Sequence, residues 1–152
     1  MTKASHPLTT KSLLSFFDYV LRNGRTRQDP WFVTFSLHGG PDSQINVPTN
    51  DSSAYPHRST LWVVQLLEYS ANLLPPFNTT DLDFIRGLTD SITHAQRDGQ
   101  FSAYINYVDP TLKPSEAHRL YYGEVLYQKL LGIKERYDPQ GLLWNPQAIG
   151  TS

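Results

Sequence analysis

A nearly continuous apolar run, STLWVVQLLEYS, occupies residues 59–70. Strands that are covered on both faces read as such runs, whereas a strand with one solvent face alternates apolar and polar residues. The run therefore predicts the central strand of a sheet. Gln65 lies in its middle, and a buried amide needs hydrogen-bond partners. We expect Gln65 either to bond a neighbouring group or to point into a polar cavity.

The segments around this run alternate between helical and extended patterns. Residues 31–37, WFVTFSL, alternate between apolar and polar side chains and predict a second strand, and residues 101–108 predict a third. Apolar spacing predicts helices over about 10–22, 80–97 and 115–135. This order favours an α+β fold, in which an antiparallel sheet carries helices packed on one face. The buried face of the first helix is predicted to contain Leu13, Phe17, Val20 and Leu21.

Composition places the chain among folded proteins and excludes several classes. It has 152 residues, 39% of them hydrophobic, and a net charge of −1, which suits one domain over residues 1–152. It shows no basic stripe for nucleic acid and no apolar run near the roughly 20 residues that span a membrane. Cysteine is absent, which excludes disulfides and thiol nucleophiles. Because the N-terminus lacks the apolar core of a signal peptide, we expect a cytoplasmic location.

Generic catalytic motifs do not occur in the sequence. The glycines do not have the spacing of G-x-G-x-x-G or of a phosphate-binding loop. No serine lies in a G-x-S-x-G turn. The five histidines have no cysteine beside them and no i, i+4 pairing, so we expect no metal site.

The predicted third strand concentrates polar side chains. The stretch AYINYVDPTL, residues 103–112, contains Tyr104, Asn106 and Tyr107. These residues either pack in an edge strand or line a pocket in which Tyr107 performs proton chemistry. Strict alternation puts Tyr104 and Tyr107 on opposite faces, so both line one pocket only if the strand bulges or ends near Asn106.

Four motifs follow one another in an order that resembles a known family. They are AYPHRSTLWVVQ (54–65), AYINYVDPTL (103–112), A-x-x-x-YYG (117–123) and KLLGIKERYDPQGLLWNPQAI (129–149). Together they resemble the C-terminal, substrate-domain part of berberine bridge enzyme-like, FAD-linked oxidoreductases, whose members oxidise natural products and sugars. The resemblance implies that residues 136–152 form a C-terminal tail, which in such flavoproteins packs on the flavin domain.

The resemblance also implies roles for residues of this sequence. In flavin-dependent members, the tyrosine of the N-Y-x-D motif is the base that removes a substrate proton, and this position is Tyr107. Other members use a glutamate on the preceding strand, where this chain has Gln65 and, further along, Glu68. Free tyrosine has a pKa near 10, so a base role needs a nearby cation or hydrogen-bond donor. The expected substrate-binding residues are Tyr104, Asn106, Gln65, Trp62 and Phe35.

The FAD-binding domain of the resembled family has no counterpart in this sequence. Met1 falls inside what would be the substrate domain, so we expect a genuinely short protein. The chain alone is expected to bind no cofactor, and FAD only if a separate flavin-binding subunit pairs with it. The surface that the flavin domain covers would then be exposed and apolar, which favours a homodimer.

Three functions are compatible with these features. The first is a cofactor-independent cyclisation or isomerisation of a small apolar natural-product intermediate in secondary metabolism, because the pocket motifs are intact beside a missing flavin domain. The second is the substrate-binding half of a split FAD-dependent oxidase. The third is a non-catalytic interaction module.

Overall fold

The computed structural model describes residues 1–49, 52–70, 73–74 and 79–151. Within these residues a short 3-10 turn, Gly24–Thr26, follows the first helix. None of the described helices is long and apolar enough to cross a membrane. The elements in chain order are β1 (Thr2–Lys3), α1 (Thr10–Asn23), β2 (Trp31–Leu37), β3 (Thr60–Glu68), α2 (Thr79–Thr93) and α3 (Pro114–Tyr137).

The three strands form one antiparallel sheet in the order β1-β3-β2. The apolar run therefore forms the central strand, and the α+β fold class is confirmed. In the pairing of β2 with β3, Val33 lies opposite Leu66 and Phe35 lies opposite Val64. Side chains opposite each other project from the same face, and α1 and α2 cover this one. The core on that face contains Phe16, Phe84, Leu88 and Ile92, packed against Trp31, Val33, Phe35 and Leu66 among others.

The buried face of α1 differs from the predicted one. Ser12 and Phe16 are buried, whereas Phe17 is 53% and Leu21 61% exposed. The hydroxyl of Ser12 donates to Oε1 of the buried Gln96, at 3.1 Å. This polar contact holds the Ser12 side of α1 against the end of α2, and an apolar pattern does not reveal such a contact.

Residues 101–108 form no strand, so that prediction was wrong. The backbone N–H of Ala103 donates to the carbonyl of Leu120 in α3, at 3.1 Å. A turn then closes between Tyr104 and Tyr107, whose backbone N–H donates to the Tyr104 carbonyl at 2.8 Å. The segment is thus fastened to a helix, and a third strand does not extend the sheet here.

α3 is broken at Gly123, where φ is 67° and ψ is 170°. This left-handed φ favours glycine, which has no Cβ. Carbonyl groups in the last turn before such a break have no partner within the helix. Two of them accept from other segments: the Leu120 carbonyl from Ala103 N, and the Tyr121 carbonyl from His57 Nε2 at 2.7 Å. The break at Gly123 therefore exposes the carbonyls of Leu120 and Tyr121, which hold these segments in place.

Candidate functional site

Four rings pack edge-to-face beside the turn at residues 104–107, and we call them the aromatic cluster (Tyr55, His57, Tyr104 and Tyr107). The ring centroids of Tyr104 and Tyr107 lie 5.1 Å apart, and those of Tyr55 and Tyr104 lie 5.8 Å apart. His57 extends the cluster, with its centroid 5.5 Å from that of Tyr55. Such edge-to-face pairs are favourable. Because the chain turns here and does not form the predicted strand, the rings of Tyr104 and Tyr107 come together.

The hydroxyl groups of the two neighbouring tyrosines have different surroundings. Asn106 Nδ2 donates to Tyr104 Oη at 2.8 Å, which leaves the hydroxyl proton of Tyr104 available for donation. Tyr107 is 38% exposed. Its hydroxyl makes no hydrogen bond to any residue that the structure describes. Tyr107 therefore presents a phenol that can contact a ligand.

A cation lies over the Tyr55 ring of the aromatic cluster. The guanidinium of Arg58 lies over the Tyr55 ring, 5.3 Å from its centroid, and donates to Ser53 Oγ at 2.6 Å. Burial lowers the pKa of His57 below its ordinary value, which favours the neutral imidazole. Arg58 thus lies two rings away from Tyr107 and does not contact its phenol directly.

The other predicted site residues are divided between the two faces of the sheet. Phe35 lies in the hydrophobic core, with its ring centroid 5.5 Å from that of Phe16. Trp62 shares this face, because it is two residues from Val64 along the strand. Gln65 lies opposite Thr34 on the other face and is partly buried. The structure therefore places Phe35 in the core instead of a pocket, and β2 and β3 separate it from Gln65.

Glu68, the carboxylate considered as an alternative base, belongs to a buried ion network that we call the Arg27 triad (Arg27, Glu68 and Asp81). Arg27 donates to Glu68 Oε1 from Nε at 2.7 Å and from Nη2 at 2.5 Å, and Nη2 also binds Asp81. The Glu68 side chain is only 2% exposed. Burial raises the pKa of Glu68. The triad joins β3 and α2 and leaves Glu68 inaccessible to a substrate.

A buried hydrogen-bond network holds the end of the segment that carries Tyr107. We call it the Gln147 network (Asp109, Leu112, Tyr121 and Gln147), and it was not predicted. Tyr121 Oη accepts from Asp109 N at 3.2 Å and donates to Gln147 Oε1 at 3.0 Å. Gln147 Nε2 donates to the carbonyls of Asp109 and Leu112, at 2.7 and 3.0 Å. Tyr121 is 1% and Gln147 7% exposed. All four residues lie within motifs of the sequence, but the motifs do not indicate that these residues contact one another.

No group of three or more His, Asp or Glu side chains that could hold a metal ion occurs in the described part of the chain. The candidate site that the contacts define consists of the aromatic cluster, with Asn106 and Arg58 beside it, and of the Gln147 network, which holds Asp109. Its chemistry is that of hydroxyl, amide and guanidinium groups.

Known proteins are similar to this chain over most of its length. Residues 103–150 match the family described as berberine and berberine like. The carbohydrate oxidase of Microdochium nivale is 35% identical over 149 residues, which cover 93% of this chain and 30% of the relative. The chitooligosaccharide oxidase of Gibberella zeae is 31% identical over 146 residues, covering 96% of this chain and 29% of the relative.

Solved structures share the fold of this chain. A chitooligosaccharide oxidase superposes with a TM-score of 0.82 at 30% identity, covering 95% of this chain and 31% of that chain. The carbohydrate oxidase from Microdochium nivale, in complex with a substrate analogue, superposes with a TM-score of 0.78 at 32% identity, covering 97% and 31%. The chain thus spans about 30% of the length of the curated relatives it matches. It belongs to the berberine bridge enzyme-like family of FAD-linked oxidoreductases.

Proposed function

We propose that this chain forms the sugar-binding and proton-accepting part of an FAD-linked oligosaccharide oxidase. The observation that carries the proposal is the exposed phenol of Tyr107 at the end of the aromatic cluster. Aromatic rings offer an apolar face, and their hydroxyls offer a polar handle, which suits ligands that carry both kinds of surface. The names of the relatives, which are oxidases of carbohydrate, chitooligosaccharide and glucooligosaccharide, support a sugar substrate.

In this proposal Tyr107 accepts the proton of the sugar hydroxyl that is oxidised. Tyrosine normally has a pKa near 10, so negative charge on its oxygen needs a hydrogen-bond donor nearby. The two hydroxyls are not hydrogen-bonded in this structure, and in this proposal Tyr104 becomes that donor once Tyr107 carries negative charge. The ring of Tyr104 packs against that of Tyr107, and Asn106 occupies an acceptor position of the Tyr104 hydroxyl and leaves its proton available. A flavin held outside this chain would supply the hydride acceptor for such an oxidation.

The residues of this chain do not fit the binding of FAD. FAD is held at its phosphates by backbone N–H groups of glycine-rich turns, and the sequence has no G-x-G-x-x-G motif. It also has no cysteine for covalent attachment. In this proposal the flavin is therefore held by residues outside these 152.

The cofactor-independent cyclisation or isomerisation predicted first from the sequence has no support among the relatives, whose names describe oxidation. A natural-product substrate and a homodimer stay predictions. Large apolar side chains on the surface of α1, namely Leu14, Phe17 and Leu21, support an association with some other surface.

The 152-residue protein, mixed with FAD and passed through a gel-filtration column, should show no stoichiometric flavin absorbance. The physical reason is the missing phosphate-binding turn. The full-length carbohydrate oxidase of Microdochium nivale is the positive control. One flavin retained per chain would contradict this prediction and would place FAD-binding residues within the chain.

The protein should bind chitotetraose, and the aromatic cluster should contribute to the binding. We expect Tyr107→Ala to weaken the affinity about tenfold, since one aromatic contact contributes on the order of 1 kcal/mol. Tyr137→Ala is the matched control, because Tyr137 is 74% exposed and lies at the end of α3. The measurement is a titration of each protein with chitotetraose, monitored by saturation-transfer NMR. Equal affinities of the two variants, or no binding by the unmodified protein, would argue against the proposed function.

A further inference from the structure

We propose that Gln147 is a positioning residue for Tyr107. Its buried amide holds the backbone at Asp109, and through it the C-terminal tail sets the place of the turn that carries Tyr107. The functional meaning of this inference rests on the proposed role of Tyr107 as the proton acceptor, although the contacts themselves do not.

The segment that carries Tyr107 is fastened at both of its ends. At its start, Ala103 N donates to the Leu120 carbonyl at 3.1 Å. At its end, both backbone groups of Asp109 are held, the N–H by Tyr121 Oη and the carbonyl by Gln147 Nε2. Tyr107 is two residues from Asp109, so a displacement of the Asp109 backbone moves the Tyr107 backbone with it.

The side-chain amide of Gln147 binds its neighbours through both its oxygen and its nitrogen. Its oxygen accepts from Tyr121, and its nitrogen donates to the two carbonyls of Asp109 and Leu112. A primary amide has two N–H donors, so both are engaged. Because the site is buried, removing the amide leaves these partners without water as a replacement.

The tail that presents Gln147 is itself ordered by hydrogen bonds. His118 Nε2 lies 3.1 Å from the Gln147 carbonyl, and Gln147 N donates to Asn145 Oδ1 at 2.9 Å. Earlier in the tail, Leu142 N and Leu143 N donate to the carboxylate of Asp138 at 2.7 and 2.9 Å. The backbone of Gln147 is therefore held within the tail, and its side-chain amide is held by Asp109.

The experiment places 3-fluorotyrosine at Tyr107 and compares Gln147→Met with the unmodified protein. Methionine has a similar length and lacks the amide donors and acceptor. We expect the fluorine resonance of Tyr107 to shift and broaden, and the amide of Asp109 to exchange with deuterium about tenfold faster. Gln140→Met is the matched control, since Gln140 is an exposed glutamine of the same tail. A fluorine label at Tyr19, in the core between α1 and α2, reports any general loosening of the fold.

A second variant covers the case in which Gln147→Met fails to fold. Tyr121→Phe removes only the hydroxyl that joins Asp109 N to Gln147 Oε1, and the same changes are expected from it. Unchanged Tyr107 resonance and Asp109 exchange in a folded variant would overturn the inference, and so would equal changes at Tyr107 and Tyr19. The measurement contains no sugar and no flavin, so its outcome is separate from that of the proposed oxidase function.

Discussion

Tyr107→Phe should lower the rate of oligosaccharide oxidation about 10²–10³-fold, which is the usual loss when one proton-transfer group is removed. Phenylalanine keeps the ring and its edge-to-face contact with Tyr104. The missing hydroxyl leaves no partner unsatisfied among the described residues, so the free energy of unfolding should change by less than about 1 kcal/mol. The measurement is sugar-dependent oxygen consumption of a flavin-containing assembly of this chain, beside a thermal unfolding curve.

Two further tyrosine variants make the result specific. Tyr104→Phe should lower the rate less than Tyr107→Phe, since Tyr104 donates a hydrogen bond in the proposal and does not accept the substrate proton. Tyr137→Phe, at an exposed position, should leave the rate unchanged. A normal rate for Tyr107→Phe would reduce the tyrosine to a binding role. A rate that falls only together with the melting temperature would make the tyrosine structural.

Two of the three strands, β2 and β3, could be predicted because their patterns are local, whereas the two-residue β1 carries no such pattern. β3 is a continuous apolar run and β2 alternates, and both patterns are complete within seven to nine residues. The segment 101–108 has a similar content of aromatic and β-branched residues, which favours a strand. It forms a turn because its partner is the Leu120 carbonyl, which becomes available only where α3 breaks at Gly123. A tertiary contact thus outweighed the local preference.

The roles of Tyr107, Tyr104 and Asn106 stay predictions that rest on the N-Y-x-D motif. The structure adds that the three residues lie together at one turn. Phe35 was misplaced because an apolar side chain reads the same in a core as in a pocket. Gln147 was missed because its partner Asp109 lies 38 residues away. No sequence period joins a glutamine of the tail to that turn.

Arg27→Met should be among the most destabilising single substitutions in this protein. Arg27 is the cation between two carboxylates whose side chains are 2% and 9% exposed. Removing one partner of a buried ion network typically costs about 3–5 kcal/mol, because the remaining charges stay buried without compensation. Glu68 Oε2 already has no hydrogen-bond partner among the described residues, and the cation contact with the Phe84 ring, 5.0 Å from its centroid, is lost as well. The measurement is urea unfolding at pH 7.

Arg22→Met is the matched control for that substitution. Arg22 pairs with Asp18 on the surface of α1, and their side chains are 75% and 57% exposed. Exposed pairs of this kind contribute about 0–1 kcal/mol. If Arg27→Met destabilises the protein no more than Arg22→Met does, the Arg27 triad does not hold β3 to α2.

The loss caused by Arg27→Met should also depend on pH in a defined direction. Burial raises the pKa of Glu68 in the folded protein, and without Arg27 that pKa should rise further. Between the unfolded and the folded pKa the folded state binds more protons than the unfolded state, so stability increases as the pH falls through this window. The difference in the free energy of unfolding between Arg27→Met and the unmodified protein should therefore narrow from pH 7 toward pH 5.

Adding Glu68→Gln to Arg27→Met should recover part of the lost stability at pH 7, because the amide carries no charge to bury. A gap that stays constant with pH, with no recovery in the double variant, would mean that lost packing of the Arg27 stem, and not the buried charge, destabilises the variant.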